Sequence, residues 1–348
     1  MRAVVYERTG GPEVLHEVDL PTTEPGPGEV RVAVARSGVN PTDWKSRHGA
    51  GEGRPVTPQT PNQDGAGRVE AVGEGVDQAL LGRRVWIWEA ARDRPRGGTA
   101  QQQTVLPVRH VVGMPDAVRG RALDDAAAYD LGASLGIPFL TAHRCLTVTE
   151  EGPAVLGPGV LQGRVVLVAG GAGAVGNAAI QLARWADATV VTTVSSPHKA
   201  QLAAAAGADH VIDYRRQDVV DEVRRIAPHG VHTIVEVAPG PNAGIDTQVV
   251  APNGSIAVYA DDDTAEMTIA IRASMLTNAR WQFVLVYTEP APAKAASVDA
   301  VARAVAAGAI GVGESAGLPL HHFGLDDVAG AHRAVQDRLV GKVLVDVP

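Results

Sequence analysis

One stretch constrains the fold of this chain more than any other: RVVLVAGGAGAVGNAAIQLA, residues 164–183. Val165, Val166, Leu167 and Val168 run without a polar residue, as in a strand of a parallel sheet buried on both faces. Glycines follow at 170, 171, 173 and 176. Beyond them Val175, Ala178, Ala179 and Leu182 fall on one face of a helix. A strand, a glycine-rich turn and a helix in that order make a dinucleotide site: the glycines let a pyrophosphate approach the backbone, and the helix aims its unpaired N–H groups and positive end at it. The segment Gly170, Gly171, Ala172, Gly173, Ala174, Val175 and Gly176 is the expected contact surface. A P-loop is excluded, because Asn177 follows Gly176 where Lys and Ser or Thr are required. Residues 165–183 also lack formal charge over about the length a bilayer demands. Four glycines, Asn177 and Gln181 fit the strand–turn–helix far better.

At 348 residues the chain has room for two domains. The net charge of −8 leaves no basic footprint for nucleic acid. The start, MRAVVYER, reads as a charged strand rather than a signal peptide, so a cytoplasmic protein with no membrane anchor is expected. A single cysteine, Cys145, rules out an internal disulfide and a cysteine-built zinc site, and its helical surroundings favour a buried small side chain over a reactive thiol.

Residues 1–115 read as short strands separated by Gly/Pro turns: MRAVVYE, EVLHEVDL, EVRVAVARSGV, GRVEAVG and RRVWIW. Helix takes over from about Asp124. From Arg164 strands and helices alternate through VVLVA, ATVVTTV, DHVID, VHTIVEVA and GSIAVYA, with WQFVLVYT at 281–288 as a sixth strand. Such repeated βα winding predicts a doubly wound parallel sheet. Helices over about 293–307 and 325–338 and a last strand, KVLVDV, close the chain.

The blocks GVNPTDWKSRHG (38–49), PNQDGAGRVEAVGEGV (61–76), GIPFLTAH (136–143), AGGAGAVGNAAIQLA (169–183) and GADHVIDY, in this order and spacing, resemble the zinc-independent medium-chain dehydrogenase/reductases of the zeta-crystallin-like NADPH:quinone oxidoreductase type. The resemblance implies an α/β fold: a Rossmann doubly wound sheet over 131–289, plus a GroES-like β-rich domain built from 1–130 and 290–348. It also implies hydride transfer from NADPH to a quinone. The alternatives are an alkenal or enone double-bond reductase and a low-turnover NADPH-binding structural or nucleic-acid-binding protein, against which the acidic balance counts. Relatives dimerise through strand six, which implies a homodimer or higher homo-oligomer. Zinc-dependent relatives have a cysteine near Asn40 and a Gly-His-Glu block where Asn62-Gln63-Asp64 stands. Catalytic zinc takes three Cys, His or carboxylate ligands, so no metal is expected here. Without a Lewis acid, electron-poor substrates such as quinones and enones are favoured, since they need mainly an oriented hydride donor and a proton.

Several side chains follow as candidates. NAD-specific folds carry an acidic residue after the second strand; here ATVVTTV runs into Ser195-Ser196-Pro197-His198-Lys199, two hydroxyls and a cation suited to a 2′-phosphate. The resemblance adds Tyr214, fifteen residues beyond Lys199, as its other flank. The competing reading is an exposed lysine at a helix start and a surface tyrosine. The resemblance also turns Asn40 toward the nicotinamide and substrate, against a simple turn asparagine before Pro41. It makes Thr141 a nicotinamide contact, against a helix-start cap. Lys45 stands where many relatives have a tyrosine and is either a proton donor or a solvated charge. Tyr259, Phe283 and Leu285 sit at the ends of strands five and six, where open α/β sheets bind ligands. Arg92, Arg94 and Arg96 read as a solvated loop, and Asp261–Asp263 as a solvent-facing turn. Of Trp86 and Trp88, one is expected in the core and the other in the substrate cleft.

Overall fold

The computed structural model describes residues 1–348 except 151, 262, 263 and 265. Asp262 and Asp263, read above as part of a turn, therefore lie outside the described residues. The chain divides into two units, Met1–Ile137 with Leu320–Pro348, and Pro138–Pro319.

The first unit is the β-rich one. Its organising strand is Glu29–Val39, whose alternating Val30, Val32 and Val34 are all buried. Across one edge it pairs antiparallel with the C-terminal strand Lys342–Asp346, in the register Val343↔Val39 and Asp346↔Arg36. Across the other it pairs with Asp64–Val72 and, further along, with Gln103–Pro107. The sheet continues through Arg84–Ile87 to Val111–Gly113, while Leu320–Gly324 flanks the C-terminal strand in parallel. A second sheet holds His16–Asp19, Arg2–Arg8 and Pro55–Gln59. Val4, Val34, Val39, Leu325, Val328 and Val345 form one core cluster, so both ends of the sequence are needed to close it. Trp86 and Trp88 are both buried, at 1% and 6% exposure. The expectation that one of them lines a cleft is corrected: Trp88 packs its ring against His110 at 4.7 Å. Arg94 is likewise no solvated charge, since its guanidinium binds the carbonyls of Ala90 and Glu89 and ties the loop together.

The second unit carries a six-stranded parallel sheet. Its spatial order is His210–Asp213, Thr189–Val194, Val165–Ala169, Val231–Glu236, Val250–Val258, Arg280–Phe283. That is the 3-2-1-4-5-6 winding of dinucleotide-binding folds, with its switch point between the strands 165–169 and 231–236. Leu167, Val191, Ile234 and Ile256 pack with Val219 and Val223 of the helix Val219–Ile226. The sixth strand is shorter than its apolar run. Phe283 pairs with Val258, where the neighbouring strand ends, and the chain turns into a 3₁₀ segment at Val286–Thr288.

The chain returns to the first unit at Leu320, not at about residue 290. The helix Ala291–Ala306 is held in the second unit by polar contacts as well as packing. Ser297 Oγ meets His143 Nδ1 at 2.8 Å, and Arg303 donates to the Leu156 carbonyl and lies over the Trp185 ring. His143 Nε2 accepts from the Leu156 N–H at 3.3 Å, so the neutral ring with its proton on Nδ1 satisfies both neighbours; the Ser297 hydroxyl in turn donates to the Ala293 carbonyl. This pins the Gly/Pro-rich loop 152–163. Burial, with Arg144 and Arg303 nearby, lowers His143 to about 4. A histidine depressed in the folded state contributes stability that is present above its unfolded value and lost as pH falls. Unfolding free energy should therefore decline as pH falls from about 6.5 to about 4, and His143→Gln should remove that component. Denaturant titrations of both proteins across this range measure it. Among the described residues no helix is long and apolar enough to cross a membrane.

Candidate functional site

Two local sites emerge, one in each unit. In the second unit the chain leaves the strand Val165–Ala169 through Gly170 at φ +70°, a left-handed conformation that favours glycine. A Cβ on Gly171 would lie 2.2 Å from Thr192 Oγ1, and one on Gly176 2.4 Å from the Gly170 carbonyl oxygen. The glycines are thus forced by turn geometry and by close packing of the helix Ala174–Trp185 on the strand. Ala172, Gly173, Ala174 and Val175 complete the turn, and Gly173 is its exposed crest. The result is an open cradle of backbone at a helix N-terminus, the arrangement that holds a pyrophosphate.

The second strand ends at Val194 and delivers its polar residues to the same edge of the sheet. Ser196 caps the helix Pro197–Ala205, accepting the Lys199 N–H, and Lys199 Nζ reaches Ser195 Oγ at 3.2 Å. Lys199 is thereby folded back over the strand end rather than extended into solvent. Tyr214 follows the strand His210–Asp213, its N–H bonded to the Val194 carbonyl and its ring 51% exposed. Ser195, Ser196, Lys199 and Tyr214 thus gather around one strand end, with no carboxylate bonded to Lys199 Nζ among the described residues.

The other candidates in this unit scatter. Thr141 lies inside the helix Asp125–Leu146, past its break at Gly136 and buried, so it is not a helix-start cap. Tyr259 follows the strand Val250–Val258, donates its N–H to the Glu236 carbonyl, and has its phenol pushed up by burial. Phe283 and Leu285 are 63% and 55% exposed, facing outward at the sheet's edge. Cys145 is buried, which raises its thiol well above the ordinary value.

In the first unit Asn40 begins the helix Pro41–His48, and Asp43 turns back to accept the Asn40 N–H at 2.7 Å, the reciprocal half of a capping box. Asp43 also accepts the Gln63 N–H at 3.1 Å. The Asn40 amide is engaged at both its nitrogen and its oxygen inside the protein. Its Nδ2 donates to Asp64 at 2.7 Å, and its Oδ1 accepts from Lys342 Nζ at 2.7 Å. Lys342 also pairs with Asp64 at 3.4 Å, and the other Asp64 oxygen accepts the Ile137 N–H at 2.9 Å. Asn40, Asp43, Asp64 and Lys342 are all at most 3% exposed. The Asn40 side chain therefore spends its donor and an acceptor on a structural network. Lys45, on the exposed face of the same helix, lays its ammonium over the Trp44 ring at 5.9 Å.

Burial drives the charges of this cluster toward neutrality. It pushes Asp43 up to about 8, opposed by the Asn40 N–H, raises Asp64 and lowers Lys342, and the attraction between Asp64 and Lys342 resists both of the latter shifts. Sequence reasoning missed Asp64 and Lys342 as partners. Their separation in sequence hides the pairing, although a lysine opening an otherwise apolar final strand is a signal. The positions where zinc ligands would stand do not suit zinc. An ammonium lies against Asn40 Oδ1, the Gln63 carbonyl side-chain oxygen accepts the Ala91 N–H at 3.2 Å, and neither residue is a thiolate or imidazole.

Removing one partner of a buried pair leaves an uncompensated charge, at a cost of about 3–5 kcal/mol. Lys342→Met should lose stability on that scale in chemical denaturation. Adding Asp64→Asn to it should restore part of the loss, because no lone carboxylate then remains buried.

Residues 26–116 match the model for the alcohol dehydrogenase GroES-like domain, and residues 174–303 the model for the zinc-binding dehydrogenase domain. The chain is 30% identical over 299 residues to the quinone oxidoreductase of Rattus norvegicus, covering 81% of this chain and 83% of that protein. It is also 30% identical over 261 residues to the synaptic vesicle membrane protein VAT-1 homolog of Rattus norvegicus, over 74% of this chain. That match spans only 59% of the length of the VAT-1 relative. Among solved structures, a mycobacterial protein complexed with NADPH superposes with a TM-score of 0.78 at 25% identity, covering 99% of each chain.

Proposed function

Because the chain belongs to the medium-chain dehydrogenase/reductase family, in its quinone oxidoreductase branch, we propose that it is a cytoplasmic NADPH-dependent reductase acting on quinones. The observation that carries the cofactor reading is Lys199 Nζ beside Ser195 Oγ at the end of the second strand, with Ser196 and Tyr214 next to it. A cation and hydroxyls suit a 2′-phosphate dianion, whereas a 2′-hydroxyl calls for a carboxylate. The NADPH complex of the mycobacterial neighbour supports the same reading. The turn from Gly170 to Gly176 would hold the pyrophosphate, and bound NADPH would supply a hydride. Charge-assisted hydrogen bonds contribute about 1.5–3 kcal/mol. Lys199→Ala should therefore weaken NADPH about ten- to hundredfold in a fluorescence titration and leave NADH nearly unchanged. Equal losses for both cofactors would remove Lys199 from the 2′-phosphate.

The donor set at Asn40 and Gln63 offers no Lewis acid to polarise a saturated carbonyl, a service worth several kcal/mol where a metal provides it. A quinone is activated by its own conjugation, and its reduced anion takes a proton from water or from exposed Lys45. Steady-state NADPH oxidation should be fast with 1,4-benzoquinone or 9,10-phenanthrenequinone, slower with 3-penten-2-one, unaffected by chelator and changed only a few-fold by Lys45→Ala. Turnover of the enone with both quinones inert would make the protein a double-bond reductase instead. The exposed apolar residues Phe283 and Leu285 at the sheet edge, with Ile271, Met275 and Leu276 on the helix Ile271–Thr277, support a homodimer joined there.

A further inference from the structure

A pair of buried carboxyls lies at the switch point of the second unit, outside every motif considered above. Glu236 ends the strand Val231–Glu236, next to the strand that feeds the glycine-rich turn, and is 1% exposed. Asp246, on the helix Pro239–Val249, lies one turn beyond Asn242 on the face turned to Glu236; it is 2% exposed, and its buried Oδ2 has no hydrogen-bond partner among the described residues. Glu236 already accepts the Ala238 N–H, and the Asn242 amide donates to both its oxygens at 3.1 and 3.3 Å. Among the described residues no Lys, Arg or His forms an ion pair with either carboxyl. Two carboxylates cannot both remain ionised in apolar surroundings at this range without a cation. Glu236 is committed as an acceptor three times over, so the proton belongs to Asp246, which donates it.

The segment this pair fixes is short and well placed. Glu236, Val237 and Ala238 carry the chain from the fourth strand into the helix, and a Cβ on Gly170 would sit 3.2 Å from Val237 Cγ1. Val237 therefore packs directly on the first glycine of the turn. We propose that Asp246, as hydrogen-bond donor to Glu236, is a positioning residue that holds the 236–238 segment against the glycine-rich turn, and so shapes the site for the dinucleotide. The inference rests on the NADPH reading of that turn.

The groups that could perturb the pair are few. Burial comes first and Glu236 second in raising Asp246, and buried Tyr259 feels Glu236 in turn. Arg224, on the neighbouring helix Val219–Ile226, reaches the Gln248 carbonyl instead of Asp246. An aspartic acid raised in the folded state contributes stability that is present at low pH and lost as pH rises toward the folded value. Once the proton is lost, two anions stand against each other, and the segment should move off the turn.

The test compares wild type, Asp246→Asn and Asp246→Ala. NADPH affinity and the melting temperature of the cofactor-free protein are measured from about pH 4 to about pH 10. Asn keeps a donor but has no proton to lose. Its affinity should stay within about threefold of wild type at the low end of this range and should lack the weakening that wild type shows as pH rises. Ala should weaken NADPH about tenfold or more there. Wild type should show a fall in melting temperature with rising pH that Asn flattens. Affinity in the Ala variant equal to wild type, or the same pH dependence of affinity in wild type and Asn, overturns the proposal. If no variant binds NADPH at any pH, the cofactor reading fails; a melting fall with rising pH that Asn flattens then leaves the carboxyl pair standing as the support of this segment, and identical melting curves overturn it too.

Discussion

A single carboxylate that never meets water ties the β-rich unit together. Asp64 gives one oxygen to Asn40 and Lys342 and the other to the Ile137 N–H. Those partners come from the start of the helix Pro41–His48, from the last strand of the chain, and from the break in the helix Asp125–Leu146. The break is built for the contact: a Cβ at Gly136 would lie 2.0 Å from Asp64 Oδ1. Glycine there lets the helix bend to φ −28° and ψ −106°, and the displaced Ile137 N–H turns to the carboxylate. A buried ion pair adds little net stability over an apolar core, but breaking it is expensive. It joins strands that lie hundreds of residues apart in sequence.

The second unit depends on a different constraint, backbone crowding. Where the strand Val165–Ala169 hands over to its helix, side chains are excluded because Thr192, Gly170 and Val237 already fill the space. Exclusion of Cβ atoms leaves N–H groups bare at a helix N-terminus, and a polyanion is the ligand such a surface suits. Beside it, Ser195, Ser196 and Lys199 supply hydroxyls and a cation from the neighbouring strand end, and Glu236 with Asp246 props the wall on the other side. These groups come from the ends of three adjacent parallel strands, where doubly wound sheets generally bind their ligands.

Much of this was readable in advance because it is local. The run from Val165 to Gly176 specifies strand, turn and helix by spacing alone, and the βα alternation that follows fixes a parallel sheet. Ser196-Pro197 announces a helix start, and Lys199 falls one turn later, within reach of the strand end. Asn40 shows where local reading stops. A turn role is visible from Asn40-Pro41, but nothing nearby in sequence announces that its amide is engaged by Asp64 and Lys342. The burial of both Trp86 and Trp88 and the tying-down of Arg94 escape local reading for a similar reason: His110 and the loop carbonyls that meet Trp88 and Arg94 are supplied by tertiary packing.

The sequence by itself determined the winding of the second unit, the glycine turn, the hydroxyl–lysine cluster and the absence of thiolate and imidazole at the lost zinc positions. Each depends on residue types within a few positions of one another, where covalent geometry and spacing decide. Only the tertiary structure decided that Lys342 neutralises Asp64, that the helix Ala291–Ala306 stays in the second unit through His143 and Ser297, and that Asp246 lies against Glu236. The first two join segments far apart in sequence, and the third joins a strand end to the helix that follows it. They form because each polar group, once buried by packing, must find a partner or cost its full desolvation.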